Sequence, residues 1–580
     1  MVNFALIRDP ETNRWLRFHR PVEVVSAQTV DGVLPVLARI DNAVEKQGLV
    51  AVGFVAFEAA PAFDPALRVH PPIHGMPLLV FGLFEEPTEE GEPLFDDFGS
   101  YSVGEWSASQ SEENYRRSVG GVRDHIARGD TYQVNYTFRL RAPFDGDPRA
   151  FFLDLVRSQP SSFAAYLDLG GRVICSASPE LFFRLDGEHL VCRPMKGTAR
   201  RGWDLESDRE LESRLEASPK DRAENAMIVD MVRNDLGRVA RVGSVDVTGS
   251  FVIERHPTVF QMTSTVEAKT GAPVSEIIAA LFPFASVTGA PKVRTMELIN
   301  ELESDPRGVY TGAIGVIEPG RRSRFSVAIR TAVVDRKVGW VEYGVGSGVV
   351  WDSEAGDEYH ECLLKARVLA QPVPNFELLE TMLWDPDNGY SILDRHLERL
   401  AGAAEYFERG IYPTRIRSDL VSRALGFGDT RHRVRLLVAA DGSHRIEAFP
   451  FDSGSDAARV RLGLAAGPVK RRDPFLHFKT THRAVYEQAR ATRPECDDVL
   501  LWNERGEVTE STIANIVARI GGKLVTPPVS CGLLAGTFRA ELLERGEIEE
   551  RVITVEELPD ADALFLINSV QGWKDVEWVE

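Results

Sequence analysis

Leu181-Phe182-Phe183-Arg184-Leu185-Asp186-Gly187-Glu188-His189-Leu190-Val191-Cys192-Arg193-Pro194-Met195-Lys196-Gly197-Thr198 is the stretch on which the fold of the first half turns. Two apolar-rich runs, 181–185 and 189–193, flank Asp186-Gly187, a strong hairpin signal. Pairing across that dipeptide sets Glu180 roughly opposite Arg193. Lys196 then follows within about 10 Å at about 3.4 Å per strand residue, and a curl at Gly197 would close the gap. An amine and a carboxyl so placed can work as nucleophile and general acid–base partner. The alternative is a surface Lys–Glu pair, which is worth little, and spacing alone favours that alternative.

Outward from the hairpin, strands and helices mix in both halves, an α/β (α+β) pattern. Ser218-Pro219-Lys220-Asp221 opens a helix: Ser218 can cap, Pro219 suits the first position, and Gly237 is a plausible stop. Residues 341–345 alternate like a strand, and 502–508 read as a hairpin leading into another. Gln371-Pro372-Val373-Pro374-Asn375, after an apparent helix at 359–369, reads as a linker. The expected domains are therefore 1–370, with an N-terminal lobe of about 1–105 and a core of about 110–370, and 376–580. The acidic stretch 85–104 is taken as a loop within the first. A chain of 580 residues should hold several domains, since single cores stop growing near about 250–300 residues.

The formal charge of -20 argues against nucleic acid or an anionic membrane as a partner, but not against an anionic substrate at a local site. Five scattered cysteines have no metal spacing and fit buried hydrophobes in a reducing compartment. No signal-peptide pattern and no window of about 20 apolar residues occurs, so a soluble cytoplasmic protein is expected. Asp221 and Glu224, and again Glu358 and Glu361, stand i,i+3 on helices, with Lys365 one turn on. Such clusters suit Mg²⁺, a hard cation that takes oxygen ligands and keeps several waters; two solvated helix faces would look the same.

Several motifs change that balance. Ser178-Pro179-Glu180-Leu181-Phe182, the Lys196 segment, Lys220-Asp221-Arg222-Ala223-Glu224-Asn225, Ser286-Val287-Thr288-Gly289-Ala290-Pro291-Lys292, Tyr310 before Thr311-Gly312, Arg330 in Ala328-Ile329-Arg330-Thr331, Gly346-Ser347-Gly348 and Glu358-Tyr359-His360-Glu361 occur in one order. That order resembles the chorismate-utilising family of anthranilate, isochorismate and aminodeoxychorismate synthases, densely over 110–370. The resemblance implies a fold of large β-sheets with surrounding helices. It also implies that Glu224 and Glu361, with Glu358 and Asp221, hold Mg²⁺ against the ring carboxylate of chorismate. Tyr310 and Arg330 would hold the enolpyruvyl group, and Ser286, Thr288 and the backbone near Gly346 and Gly348 would complete the pocket. Lys196 would be the nucleophile and Glu180 the acid. Lysine at position 196 resembles aminodeoxychorismate synthase component I, whereas anthranilate-type members usually carry Ala there and a His near Gln261.

The tail carries His396-Leu397-Glu398-Arg399-Leu400, Phe478-Lys479-Thr480-Thr481, Val508-Thr509-Glu510-Ser511-Thr512-Ile513-Ala514-Asn515 and Gly532-Leu533-Leu534-Ala535-Gly536-Thr537-Phe538-Arg539. This ordered set resembles the class IV pyridoxal-phosphate enzymes, a fold of two subdomains that includes aminodeoxychorismate lyase. The resemblance implies that Lys479 binds pyridoxal 5'-phosphate and moves protons. Glu510 would face the pyridine nitrogen. Arg399, Thr537 and backbone N–H groups near Ile513 and Phe538 would hold the phosphate. Only 80 residues separate Arg399 from Lys479, so the small subdomain should be abbreviated, and Asn568-Ser569-Val570-Gln571-Gly572 is a further lyase-like segment.

The two resemblances together lead to a bifunctional enzyme that makes 4-aminobenzoate from chorismate and ammonia. An anthranilate-type synthase, a non-lyase aminotransferase tail or an inactive scaffold tail remain as alternatives. No cysteine has glutaminase context, so the implied partner is a separate glutamine amidotransferase subunit, and a homodimer through the tail fits class IV habits.

Overall fold

The computed structural model describes residues 2–90, 95, 98–159, 161–369, 374–452 and 459–579. Its contacts divide into two units, Met1–Arg200 with Glu212–Val373, and Pro374–Glu580 with Arg201–Leu211. Of the expected linker, residues 371–373 lie outside the described residues, as do 91–94 and 96–97 of the acidic stretch.

Among the described residues the first unit holds two sheets, of eleven and ten strands. One runs from Gly289–Ala290 through Gln133–Gly146, Trp340–Val349, Thr331–Asp335, Arg172–Ser178 and Phe163–Asp168 to Phe4–Arg8 and Trp15–His19. The other runs from Met195–Arg200 through Val259–Lys269, His189–Arg193, Leu181–Asp186, Arg322–Val327 and Ala313–Glu318 to Val50–Val55, Leu79–Phe84 and Glu23–Ala27. The strands of the first hundred residues thus complete both sheets rather than forming a lobe of their own. Val50–Val55 is buried on both faces and needs partners on both edges, which Ala313–Glu318 and Leu79–Phe84 supply.

The hairpin at 181–193 forms, but in a shifted register. Asp186 pairs with His189 and Leu181 with Arg193, with a bulge between. The turn is therefore Gly187-Glu188, because Gly187 takes the left-handed φ of 58° that costs a residue with a Cβ. The shift carries Glu180 up to Met195, whose N–H donates to Glu180 Oε1 at 3.2 Å. Phe183 stacks on Phe325 of the neighbouring strand at 5.0 Å, an aromatic pair worth about 0.5–1.5 kcal/mol beyond its buried area. That pair fixes the strand behind Glu180. The helix Pro219–Gly237 begins as its sequence predicts, Ser218 Oγ accepting from the Asp221 N–H at 3.3 Å. Ala355–Ala366 is the second helix facing the same region.

Among the described residues the second unit has two sheets. A four-stranded sheet orders Gly389–Tyr390, Leu378–Asp385, His432–Val438 and His444–Pro450, with the helices Leu393–Tyr406 and Pro413–Ala424 nearby in sequence. An eight-stranded sheet runs from Val508–Ser511 and Asp498–Trp502 through Val460–Leu464, Gly572–Val579, Ala563–Asn568 and Asn515–Ile520 to Lys523–Thr526 and Glu549–Glu550. All five cysteines are buried free thiols. No helix of the described residues is long and apolar enough to cross a membrane.

Candidate active sites

The first cavity, of about 350 Å³, lies wholly within the first unit. Its floor is a stripe of glycines. Gly344, Gly346 and Gly348 share one face of the strand Trp340–Val349 and lie opposite Arg139, Thr137 and Asn135 of Gln133–Gly146. A Cβ on Gly344 would stand 2.2 Å from the Tyr310 ring, and one on Gly348 would stand 2.1 Å from Lys196 Nζ. The stripe is what leaves room for both side chains. Gly197, at φ 97°, supplies the curl after Lys196; a Cβ there would meet Asp221 Cβ at 3.0 Å.

Lys196 and Glu180 both line this cavity. Burial holds the Lys196 ammonium below the usual lysine range, with Glu224 opposing and Lys365 reinforcing that shift. Burial pushes the Glu180 carboxyl up to about 7, partly offset by Ser286, the Met195 N–H and Lys196. Burial thus disfavours the charged form of both groups, the reverse of a surface ion pair. Ser286 Oγ is buried and has no partner in hydrogen-bond geometry among the described residues. Gln261 Nε2 donates to the Gly197 carbonyl at 3.1 Å, and Thr198 Oγ1 donates to Gln261 Oε1 at 3.3 Å, so Gln261 braces the Lys196 segment.

Asp221, Glu224, Glu358 and Glu361 line the same cavity. Burial raises the Glu224 carboxyl; Glu361 is held down by Lys365, whose Nζ stands 2.7 Å away; Glu358 accepts from Ser353 Oγ at 2.6 Å. No group of three or more His, Cys, Asp or Glu among the described residues is gathered closely enough to hold a metal. A cation that keeps several waters and uses one or two carboxylates still suits this donor set. Tyr310 and Arg330 are on the wall, and Arg330 has no carboxylate partner among the described residues. Burial lowers its guanidinium, and its backbone takes a φ of 50°. Thr288 departs from expectation. It does not line the cavity, because its hydroxyl turns back to the carbonyls of Phe284 and Ala285 at 3.2 and 3.3 Å.

Sequence reading passed over Gln133. It is fully buried, both of its side-chain polar atoms lack partners among the described residues, and its Nε2 would stand 2.8 Å from the same Gly348 Cβ that meets Lys196. The signal was present: Gln133, Asn135, Thr137 and Arg139 alternate with Val134, Tyr136 and Phe138, a strand whose polar face had to be sheltered.

The second cavity, of about 440 Å³, lies wholly within the second unit. Lys479 reaches it from a segment tied to the strand Leu378–Asp385: the Leu379 N–H donates to the Lys479 carbonyl at 2.9 Å, and Thr480 bridges Leu378. Burial and then Arg399 lower the Lys479 ammonium to about 8. Glu510 is pushed up to about 7 by burial while accepting from Tyr486 Oη at 2.8 Å, the Leu534 N–H at 3.0 Å and Asn515 Nδ2 at 3.2 Å. A buried carboxylate so held suits a cationic ring N–H. Arg399 is already engaged, Nε and Nη2 on Glu380 at 2.9 and 2.7 Å and Nη1 on the Ala535 carbonyl at 3.1 Å. Glu380 also holds His396 Nδ1 at 2.7 Å, and His396 Nε2 meets Thr537 Oγ1 at 3.4 Å. Thr537 opens the helix Thr537–Glu544, whose first-turn N–H groups, Phe538 included, have no intrahelical acceptor. That end suits a phosphate. Ile513 lines the cavity but is 59% exposed, and its N–H points weakly to Ser511 Oγ at 3.5 Å. Asn568, Ser569, Val570 and Gln571 close the far side.

Residues 3–371 match the family model for chorismate binding enzymes, and residues 377–577 match that for class IV amino-transferases. The chain therefore belongs to the chorismate binding enzyme family and carries a class IV amino-transferase region after it. An aminodeoxychorismate synthase of Streptomyces pristinaespiralis is 43% identical over 256 residues, 44% of this chain and 35% of that protein. Anthranilate synthase component 1 of Cereibacter sphaeroides is 38% identical over 284 residues, 48% of this chain and 56% of that protein. The matched stretch thus spans little more than half of such relatives at most. Anthranilate synthase component I of Streptococcus pneumoniae shares the fold of the first unit, with a TM-score of 0.55, 24% identity, and coverage of 61% of this chain and 91% of that one.

Proposed function

We propose that the chain converts chorismate and ammonia to 4-amino-4-deoxychorismate in the first cavity, and then releases pyruvate in the second to give 4-aminobenzoate. The observation that carries the first step is an amine and a carboxyl, Lys196 and Glu180, whose charged forms burial disfavours, in one cavity with Arg330, a guanidinium that has no carboxylate partner among the described residues. Lys196 Nζ bonds to C2 of the ring, the ring double bonds shift, and the C4–O bond breaks as Glu180 protonates the departing oxygen, so water leaves. Ammonia then bonds to C4, the electrons flow back, and the C2–N bond to Lys196 breaks. Tyr310 and Arg330 hold the enolpyruvyl carboxylate. A wall of four carboxylates would repel a dicarboxylate substrate. Glu224 and Glu361, with Asp221 and Glu358 around them, would hold Mg²⁺, which neutralises the ring carboxylate there. Lys196 and Gln261 speak for this product over anthranilate.

In the second cavity, pyridoxal phosphate when bound supplies an electron sink for the carbon bearing the substrate amine. Lys479 would hold it, and the Lys479 amine, whose conjugate acid has a pKa of about 8, would take the C4 proton. Glu510 would pair with the ring nitrogen of the cofactor. Thr537, the Phe538 N–H and Arg399, oriented by Glu380, would receive its phosphate. Cleavage of the C3–O ether then makes the ring aromatic and frees pyruvate. A glutamine amidotransferase subunit would supply the ammonia, and a homodimer through the second unit fits the class.

Product analysis of the purified chain with chorismate, ammonium, Mg²⁺ and pyridoxal phosphate tests the reading. 4-Aminobenzoate with pyruvate is expected. Accumulated aminodeoxychorismate would remove the lyase half, and anthranilate would overturn the assignment of Lys196.

A further inference from the structure

We infer that Tyr486 is the positioning residue for Glu510 in the second cavity: its hydroxyl fixes Glu510 as a carboxylate with one acceptor place open, and so makes the site select a cofactor ring that carries an N–H. The inference rests on reading the second cavity as a pyridoxal phosphate site, and not on which reaction follows.

Glu510 is 4% exposed. It stands on the short strand Val508–Ser511 and pairs with Asn515 across a tight hairpin. An ionised carboxyl offers about four lone-pair places. Among the described residues, three hydrogen bonds fill three of them. Tyr486 Oη and the Leu534 N–H both donate to Oε1, at 2.8 and 3.0 Å. Asn515 Nδ2 donates to Oε2 at 3.2 Å. Asn515 is itself held, because Nδ2 also donates to the Leu534 carbonyl at 3.0 Å and its Oδ1 would stand 1.9 Å from a Cβ on Gly536. Oε1 is therefore filled, and Oε2 keeps one place on a side chain that lines the cavity.

Two of these donors belong to the loop that forms the site, since Leu534 gives its backbone and Asn515 holds that backbone in turn. Tyr486 comes from elsewhere, the helix Ala484–Ala491 that follows Lys479 in the chain. Its ring packs in a cluster with Leu476, Val499 and Leu501, and the Arg483 guanidinium carbon lies 4.7 Å above it. Burial, and then the Glu510 charge, raise the phenol well above its ordinary range. Tyr486 thus never ionises at a working pH and is always a donor.

Glu510 needs such a donor. Burial pushes its carboxyl toward the neutral acid, and the Leu534 N–H, Tyr486, Lys479 and Arg483 all act the other way. A neutral acid would present a hydrogen to the cofactor ring and meet an unprotonated nitrogen. A hydrogen bond to the charged form favours the carboxylate, and a carboxylate accepts from a cationic ring N–H. The hydroxyl of Tyr486 therefore acts on the ring nitrogen through Glu510, without touching the ring.

The test uses the full chain stripped of cofactor. The probes are pyridoxal phosphate and its 1-deaza analogue, in which C–H replaces the ring nitrogen; binding is measured by equilibrium dialysis. The wild type should bind pyridoxal phosphate about tenfold or more tightly than the analogue, the scale of one charge-assisted hydrogen bond. Tyr486→Phe removes one oxygen and keeps the packed ring. Its affinity for the analogue should be unchanged, while the preference should fall by about threefold or more, since the bond reverts to a neutral one. Glu510→Gln should erase the preference, and adding Tyr486→Phe to it should change nothing further, as expected of a residue that acts through another. A preference in Tyr486→Phe equal to that of the wild type overturns the inference, as does an equal weakening of both probes, which would mark a merely structural tyrosine. No binding of pyridoxal phosphate by the wild type would remove the cofactor reading and the inference with it. A Tyr486-dependent preference without any 4-aminobenzoate formation would leave the inference standing and remove the lyase reading.

Discussion

Glu180→Gln should make the protein more stable above pH 7 while stopping the synthase reaction. Glu180 is 2% exposed, and burial raises its carboxyl from the ordinary 4.5 to about 7. A folded-state pKa above the unfolded one means that the acid is comfortable when protonated. Its contribution is complete below about pH 4.5 and is lost as pH rises toward 7. The difference of about 2.5 pH units corresponds to about 3 kcal/mol of destabilisation at pH 8 and above. Glutamine mimics the protonated acid, and its amide oxygen can still accept from the Met195 N–H. Denaturation of variant and wild type should therefore coincide at pH 4.5 and separate at pH 8.5, the variant melting higher. Turnover of chorismate with ammonium should fall about 10²–10⁴-fold, the usual worth of a general acid. The wild type should lose activity on the alkaline side as Glu180 ionises, and the residual activity of the variant should lack that limb. A variant no more stable at pH 8.5, or one within a few-fold of wild-type turnover, would refute the reasoning.

Gly348→Ala should fold at a cost of about 1 kcal/mol, because the new Cβ would meet the ends of two side chains, Lys196 Nζ at 2.1 Å and Gln133 Nε2 at 2.8 Å, and not backbone. It should nonetheless lose synthase activity at least 100-fold, which chorismate consumption by a well-folded variant would reveal. Glu380→Gln removes the charge that Arg399 and His396 share. Burial alone would raise the Glu380 carboxyl, but Arg399 and then His396 hold it near 2, so its stabilisation is present above about pH 4.5 and lost as pH falls toward 2. The variant should be less stable at pH 7 by about 3 kcal/mol and lose most of that deficit near pH 3, as measured by urea unfolding. Removing divalent metal with a chelator should abolish conversion of chorismate and spare conversion of added aminodeoxychorismate. Equal loss of both would remove the assignment of Glu224 and Glu361.

Much of both sites was legible because each chemical side chain sits in a local signal. Ser218 and Pro219 open their helix as written, and with that start the i,i+3 spacing puts Asp221 and Glu224 on one face, toward the cavity. Lys196 and Lys479 stand in short ordered motifs. The hairpin register was misread by the turn alone, since Asp186-Gly187 and Gly187-Glu188 are both plausible and only pairing with Arg322–Val327 and Val259–Lys269 separates them. Thr288 was misassigned because a threonine in a motif gives no sign of which carbonyl its hydroxyl will find. The N-terminal strands looked like a lobe because strand partners hundreds of residues away leave no local trace.

The order of motifs, the two-unit α/β organisation and the identities of the lysines and carboxylates that line the two cavities are properties of the sequence itself, since they rest on residue type and on helical or strand period. Other features belong to the tertiary structure alone. They are the burial of Lys196 and Glu180 in one cavity, the glycine floor beneath Lys196 and Tyr310, and the clamp of Glu380 on Arg399. Each is a matter of burial and of partners distant in sequence, and desolvation and close approach act through space, not along the chain.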